Sequence, residues 1–327
     1  MSIESRDQFG RRIEYLRISV TDKCNFRCLY CMPEEGLQCL PRSEILDYEE
    51  IARIVAELTP LGVKRVRITG GEPTIRPRLE ILIEALRAID GIDDISLSTN
   101  GVRLPELADI YARAGLDRVN MSADSLKQDR IRAISRRSFD FDPIVSARAA
   151  GAAGLSPIKI NVVVMRGIND DEIEDFARLT FEESLHIRFI ELMPVGGMRE
   201  LTWEHVVPSG EVLDRLANLG QLEATAGPTR GNGPATYYKF PGAKGSIGVI
   251  TPMSHTYCGS CNRVRLTADG RLRTCLFGEH SVNLRDPLRN GESIAPLFVQ
   301  ALEEKPLEHN LLQMKVGGLH ALSQVGG

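Results

Sequence analysis

The sequence predicts an α/β protein built on a parallel sheet, with a smaller and mainly antiparallel β segment behind it. Two observations carry that prediction. From about residue 15 to residue 192 short β-branched runs alternate with amphipathic helical patterns, and beyond about residue 220 the helices give way to Gly/Pro-rich turns and short strands. With 327 residues, 43% of them hydrophobic, the chain can bury a large core.

The strands are expected in order at "YLRISV" (15–20), "VKRVRIT" (63–69), "DISLST" (94–99), "DRVNMS" (117–122), "IKINVVV" (158–164) and "IRFIEL" (187–192). The first helix starts near Tyr48. Asp47 caps it, Glu50 closes a capping box, and Ile51, Ile54, Val55 and Leu58 fall on one face. Leu107, Ile110, Tyr111 and Ala114 repeat that spacing, and "NDDE" at Asn169 to Glu172 offers a second capping box ahead of Ile173 and Phe176. Repeated βα units imply right-handed crossovers in a sheet that is either doubly wound or curled into a barrel, with its site at the strands' C-terminal ends. A further helix is expected from Pro208. After it "GPTRGNGP" (227–234) reads as a loop, and "ATYYKF", "GSIGVI" and "RVRLTADGRLRTC" as short strands, the last folded back at Asp269-Gly270. The division falls at residue 220, giving expected domains 1–220 and 221–327.

A net charge of −4 supplies no broad basic field, so no nucleic acid is expected as the main partner. "MSIESRDQFGRR" has no apolar leader, and no stretch approaches the roughly 20 apolar residues a membrane helix needs; a cytoplasmic protein with no membrane partner is expected. In a reducing compartment clustered thiols more often hold metal or do chemistry than form disulfides.

Three of the seven cysteines, Cys24, Cys28 and Cys31, form C-x3-C-x2-C just beyond the first strand. Three thiolates can hold three irons of a 4Fe-4S cube and leave the fourth open to a small molecule. The motif "CNFRCLYC", with aromatic Tyr30 before its last cysteine, resembles that of the radical S-adenosylmethionine enzymes. The resemblance implies that the cofactor's amino and carboxylate groups chelate the open iron, and that the reduced cluster splits its sulfonium to a 5′-deoxyadenosyl radical. It also implies Tyr30 near the adenine. "TGGEP" (69–73) resembles the family's glycine-rich strand, with Glu72 taking the cofactor's ammonium and Gly71 offering a carbonyl. Read alone, that stretch is a strand-to-helix turn with Pro73 first. Ser122 of "NMSADSL" and Met193 of "IELMPVG" are implied cofactor contacts; without the family both read as packing residues.

Cys258, Cys261 and Cys275 form C-x2-C-x13-C, the third thiol returned to the other two by the hairpin. Spacing alone leaves open a second three-thiol cluster or a structural zinc site completed by His255 or His280. "TDKCNFRCLYCMP", "GGEPTIRP", "FIELMPVG" and "CGSCNRVRLTADGRLRTCLF" together resemble one branch of the superfamily over essentially the whole chain, the GTP 3′,8-cyclases of molybdenum cofactor biosynthesis. That resemblance implies an incomplete (β/α)6 TIM-like barrel whose C-terminal, mainly antiparallel β extension carries a second 4Fe-4S cluster, with an open iron that takes the guanine of GTP.

Arg263 and Arg265 share one face of a predicted strand beside Cys261, and guanidinium forks suit a triphosphate; a solvated arginine face is the ordinary alternative. The resemblance adds Val264, Arg17, Arg67, Thr99 and Lys159 to the GTP contacts, and counts Arg263 and Arg265 with Cys24, Cys28 and Cys31 as catalytic. No G-x4-GK[ST] phosphate loop is present, so GTP enters by resemblance. In the implied reaction the adenosyl radical takes hydrogen from ribose C3′, the C3′ radical attacks guanine C8, and reduction of the resulting radical yields 3′,8-cyclo-7,8-dihydro-GTP. The family further implies a flavodoxin- or ferredoxin-like electron donor, a downstream cyclic pyranopterin monophosphate synthase, a monomer or homodimer, and a Gly326-Gly327 tail that reaches into the site. Cys39 has no family role and is expected as a spare core thiol. The alternatives are another two-cluster radical enzyme, such as a peptide maturase, or a non-catalytic metal-binding protein.

Overall fold

The structure, a computed structural model, describes residues 5–193, 201–228, 233–278 and 280–309. All six strands expected before residue 193 form: β1 (Tyr15–Ser19), β2 (Arg65–Thr69), β3 (Asp94–Thr99), β4 (Arg118–Ser122), β5 (Ile158–Val164) and β6 (Leu185–Glu191). They pair in parallel, in chain order. The crossovers are α1 (Tyr48–Leu58), α2 (Leu79–Arg87), α3 (Leu104–Ala114), α4 (Gln128–Ser135) with α5 (Pro143–Ala152), and α6 (Ile173–Glu182); α7 (Ser209–Ala217) follows β6. This is the expected incomplete barrel. Among the described residues no helix is long and apolar enough to cross a membrane.

The C-terminal strands extend the barrel at both edges. β7 (Glu223–Thr225), β8 (Thr236–Lys239) and β9 (Ser246–Ile250) continue outward from β6, and β10 (Arg263–Leu266), β11 (Arg271–Arg273) and β12 (Val282–Asn283) from β1. β9 joins β6 and β10 joins β1 in parallel, while the outer pairs are antiparallel. The hairpin turns at Gly270, whose φ of +80° suits glycine and whose added Cβ would stand 2.6 Å from Arg285 Cβ.

Apolar side chains on the outer strand faces meet the helices. Ile51, Ile54, Val55 and Leu58 of α1 are fully buried as expected, and the capping box forms, with the Glu50 amide donating to Asp47 Oδ1 at 2.7 Å and the Asp47 amide to Glu50 Oε2 at 2.8 Å. Two local expectations fail. On α3 the buried face is Leu104, Ala108, Tyr111 and Ala114, which turns Ile110 outward at 37% exposure. The box at Asn169 to Glu172 does not form: residues 170–172 make a 3-10 turn and α6 starts at Ile173 with no side-chain cap. The capping groups serve loops instead. Asn169 accepts from the Met165 amide and donates to the Asp124 and Val163 carbonyls, and Glu172 accepts from Ser125 Oγ and the Leu126 amide.

Candidate active site

The loop leaving β1 is held from two sides. The Gly71 amide donates to Thr21 O at 2.7 Å and the Glu72 amide to Lys23 O at 2.8 Å, so the end of β2 is stitched to the chain just before Cys24. From the other side, the Arg27 and Leu29 amides donate to Ser135 O and Ile134 O at the end of α4. A turn from Cys28 O to the Cys31 amide (2.9 Å) brings those two thiols round. Glycine is required at 71 for this stitching: a Cβ there would lie 2.1 Å from Lys23 O.

Cys24, Cys28, Tyr30 and Cys31 line one cleft with Gly71, Glu72, Thr99, Ser122 and Asp124, enclosing about 970 Å³ of empty space that is continuous with solvent. Burial pushes the Cys24 thiol up to about 12 and Cys28 well above its ordinary value, so a group bound there must displace their protons. Among the described residues no three Cys, His, Asp or Glu side chains converge as a single ion requires. Three thiols gathered in one cleft suit a 4Fe-4S cube in which three irons each take one thiolate and the fourth stays open.

The Tyr30 hydroxyl donates to Asp124 Oδ2 at 2.8 Å, and Asp124 Oδ1 accepts from the Val163 amide at 2.8 Å. Burial raises the Asp124 carboxyl to about 6 and, with Asp124 beside it, keeps Tyr30 a neutral donor. Glu72 is 1% exposed, and its carboxylate accepts from Thr74 N and Oγ1, Thr99 Oγ1 and the Asn100 amide. Thr99 is thereby engaged by Glu72, on the strand face opposite Ser98. Met193 packs with Phe277, Cys275 and Leu276, beside the second thiol set.

Along β1 that second set lies at the opposite end, while Met193, just past the end of β6, reaches it from the first set's end. Register pairs Tyr15 with Arg263, so Cys261 stands before the first residue of β1, whereas Cys24 follows its last. The five residues of β1 separate the two levels by roughly 17 Å at about 3.3 Å per residue. The Cys261 amide closes a turn on Cys258 O at 3.0 Å, and β11 returns Cys275. Burial would raise the Cys261 thiol, but Arg263 and Lys305 outweigh it and bring it down to about 7. Of the two histidines considered for a zinc shell, His280 Nδ1 pairs with Glu304 Oε2 at 2.9 Å and the exposed His255 Nδ1 lies 3.3 Å from Ser254 Oγ. Cys39 is exposed rather than a core thiol, because residues 36–42 run over the surface.

Between the two ends the barrel interior is cationic. Arg265, Arg17, Arg67, Ser96 and Arg118 are register partners across five neighbouring strands, and Ser98, Asn120, Lys159, His186 and Ser246 form the next row. Asp94 is the one carboxylate among these inward strand positions, and it is tied to Arg118 through two bonds of 2.8 and 2.6 Å. Burial holds Arg67 and Arg265 at about 10. Burial, and then Arg118, Arg188 and Arg67, press the Lys159 amine down to about 6. Among the described residues Arg118 Nη1 and Arg188 Nε are buried without a hydrogen-bond partner, donors that a bound anion could satisfy. Val264 turns the other way, into the hydrophobic layer, leaving only its backbone to the interior.

The structure thus brings Arg17, Arg67, Lys159, Arg263 and Arg265 around one interior, with the first thiols above and the second below. Sequence reasoning missed Arg118, Arg188, Asp124 and Lys305. The alternation of Arg188 with the buried Ile187 and Phe189 was a usable signal for it. Replacing Arg118 by Met leaves Asp94 buried and unpaired, with an expected loss of about 3–5 kcal/mol of stability in denaturant unfolding of the cluster-free chain. Adding Asp94→Leu should return most of it; no loss in the single variant would deny the pair its role.

Comparison with known proteins gives a consistent picture. Residues 18–180 match the Radical SAM superfamily and residues 185–311 the family described as Molybdenum Cofactor Synthesis C. The GTP 3′,8-cyclase of Heliobacterium modesticaldum is 45% identical, the alignment covering 98% of this chain and 99% of that one. Those of Moorella thermoacetica (46%; 98% and 100% covered) and Listeria monocytogenes (41%; 98% and 99% covered) are similar over the same length. Among solved structures, Streptococcus suis SuiB bound to S-adenosylmethionine shares the fold, with a TM-score of 0.62 at 15% identity over 93% of this chain and 72% of that one.

Proposed function

The chain belongs to the GTP 3′,8-cyclase family of the radical S-adenosylmethionine superfamily, and from that premise we propose that its two thiol cages and cationic interior form one active site acting on GTP. It is a lyase-type cyclase that converts GTP to 3′,8-cyclo-7,8-dihydro-GTP with S-adenosylmethionine and two 4Fe-4S clusters, opening molybdenum cofactor biosynthesis. The observation that carries the reading is the cationic interior lying between two three-thiol sets.

Cys24, Cys28 and Cys31 hold the first cluster and Cys258, Cys261 and Cys275 the second. When bound, the reduced first cluster supplies the electron that cleaves S-adenosylmethionine and so starts the cyclisation. The chain's own residues bind, orient and dry the site. Tyr30, fixed by Asp124, walls the cofactor's adenine; Gly71 and Ser122 line its path. Glu72 acts chiefly by locking the β2 and β3 loops together. Arg17, Arg67, Lys159, Arg263 and Arg265, joined by Arg188, take the triphosphate. Residues 1–220 serve the cofactor and 221–327 the guanine end, while the Gly326-Gly327 tail lies outside the described residues. A flavodoxin- or ferredoxin-like protein supplies electrons, and cyclic pyranopterin monophosphate synthase receives the product.

The Lys159 amine supplies one test. Below pH 6 both free and bound chains carry its proton; above 6 the free chain has lost it, whereas a triphosphate alongside restores it. Binding near pH 8 should therefore take up about one proton, and affinity should weaken as pH rises above 6. Calorimetry in buffers of different ionisation enthalpy reads this uptake, and Lys159→Met should abolish it; no uptake in the unmodified chain would place Lys159 away from the phosphates. The function itself is tested by anaerobic incubation with GTP, S-adenosylmethionine and a reductant. The expected result is GTP-dependent 5′-deoxyadenosine together with a cyclised nucleotide. Cofactor cleavage indifferent to GTP, with no cyclised product, would refute the assignment.

A further inference from the structure

Lys305, just past the helix Ala295–Glu303, is only 2% exposed. Lysine is almost never buried so completely without a partner. Its ammonium donates to Cys261 Sγ (3.7 Å), to Arg263 O (3.0 Å) and to Thr274 O, which uses its three hydrogens. Those carbonyls lie on the two arms that deliver Cys261 and Cys275, so the side chain is a crossbar between them. Arg11 braces the same segment, donating to Cys258 O at 2.8 Å, Pro306 O at 2.7 Å and Leu307 O at 3.0 Å.

Two carbonyls alone would be satisfied by a neutral amide. The sulfur beside them, on the arm that would carry an anionic cluster, calls for a cation. We propose that Lys305 is a positioning residue of the second thiol site: it holds Cys261 in place and, by its charge, raises the reduction potential of the cluster bound there. The proposal rests on the reading that these thiols carry a 4Fe-4S cluster. A reduced cluster bears one more negative charge than an oxidised one, so a fixed cation favours the reduced form.

The test is an anaerobic redox titration of the reconstituted full chain, followed by electron paramagnetic resonance, with Lys305→Met and Lys305→Arg. Two reduction steps are expected in the unmodified chain; a Cys24→Ala chain identifies the step that belongs to the second site. Lys305→Met should move that step to more negative potential and leave the other, and Lys305→Arg should restore it. Iron lost from the second site in the Met chain but kept in the Arg chain also supports the proposal. It is overturned if the Met chain keeps its iron at an unchanged potential, or if Met and Arg chains shift, lose iron or fail to fold alike. An unmodified chain that yields no second cluster would instead sink the reading of the thiol site itself.

Discussion

Gly71→Ala is expected to empty the first thiol site and abolish turnover while leaving most of the fold intact. The added methyl would sit 2.1 Å from Lys23 O and 2.5 Å from Lys23 C. Both neighbours are backbone, so neither can swing aside as a flexible side chain would. Overpacking ordinarily costs about 1–3 kcal/mol where surroundings yield. Here the relief available is for β2 and the cysteine loop to part, which breaks the bonds to Thr21 O and Lys23 O, each worth roughly 0.5–1.5 kcal/mol. The barrel should survive that loss, because its apolar layer lies on the other strand face. The cage should not, since a shift of about 1 Å can remove some 100-fold of rate even where chemistry remains possible. Iron per chain should fall by about half, and S-adenosylmethionine binding should vanish, with a near-unchanged far-ultraviolet circular dichroism spectrum. Gly151→Ala is the control: it sits in α5 with nothing within 4 Å of the new methyl. Full iron and normal cofactor binding in Gly71→Ala would mean that the β2 end does not shape the cage.

Cys275→Ala should separate the two ends of the site. The second set retains Cys258 and Cys261, two ligands where three are required, and the first set, roughly a strand's length away, is untouched. Iron should drop from about eight to about four per chain. S-adenosylmethionine should still bind, and GTP-dependent 5′-deoxyadenosine should be lost. Undiminished iron would show that another residue closes the cage.

The elements written locally in the chain were the legible ones. The cap at Asp47 acts within three residues, and strand β-branching declares itself, so six strands and α1 follow from neighbours alone. Asn169 and Glu172 defeated the same reasoning because the loop beyond β4, distant in sequence, claimed their side chains. The thiol motifs were legible as sets, but not that the sets flank opposite ends of β1. That follows from β10 entering beside β1 in parallel, a pairing across some 250 residues of chain. Arg118 and Lys305 were invisible for the same reason: their meaning lies in Asp94 and Cys261, which only tertiary register brings near.

On the proposed reading, the lower cage would keep an iron open for the guanine while the cationic interior would hold the phosphates. That reading is tested most directly by hyperfine spectroscopy of the reduced second cluster with guanine labelled with nitrogen-15. The account expects a nitrogen coupling that appears with labelled GTP and disappears in Cys275→Ala. A fully formed second cluster whose spectrum is the same with labelled GTP, unlabelled GTP or none would contradict it.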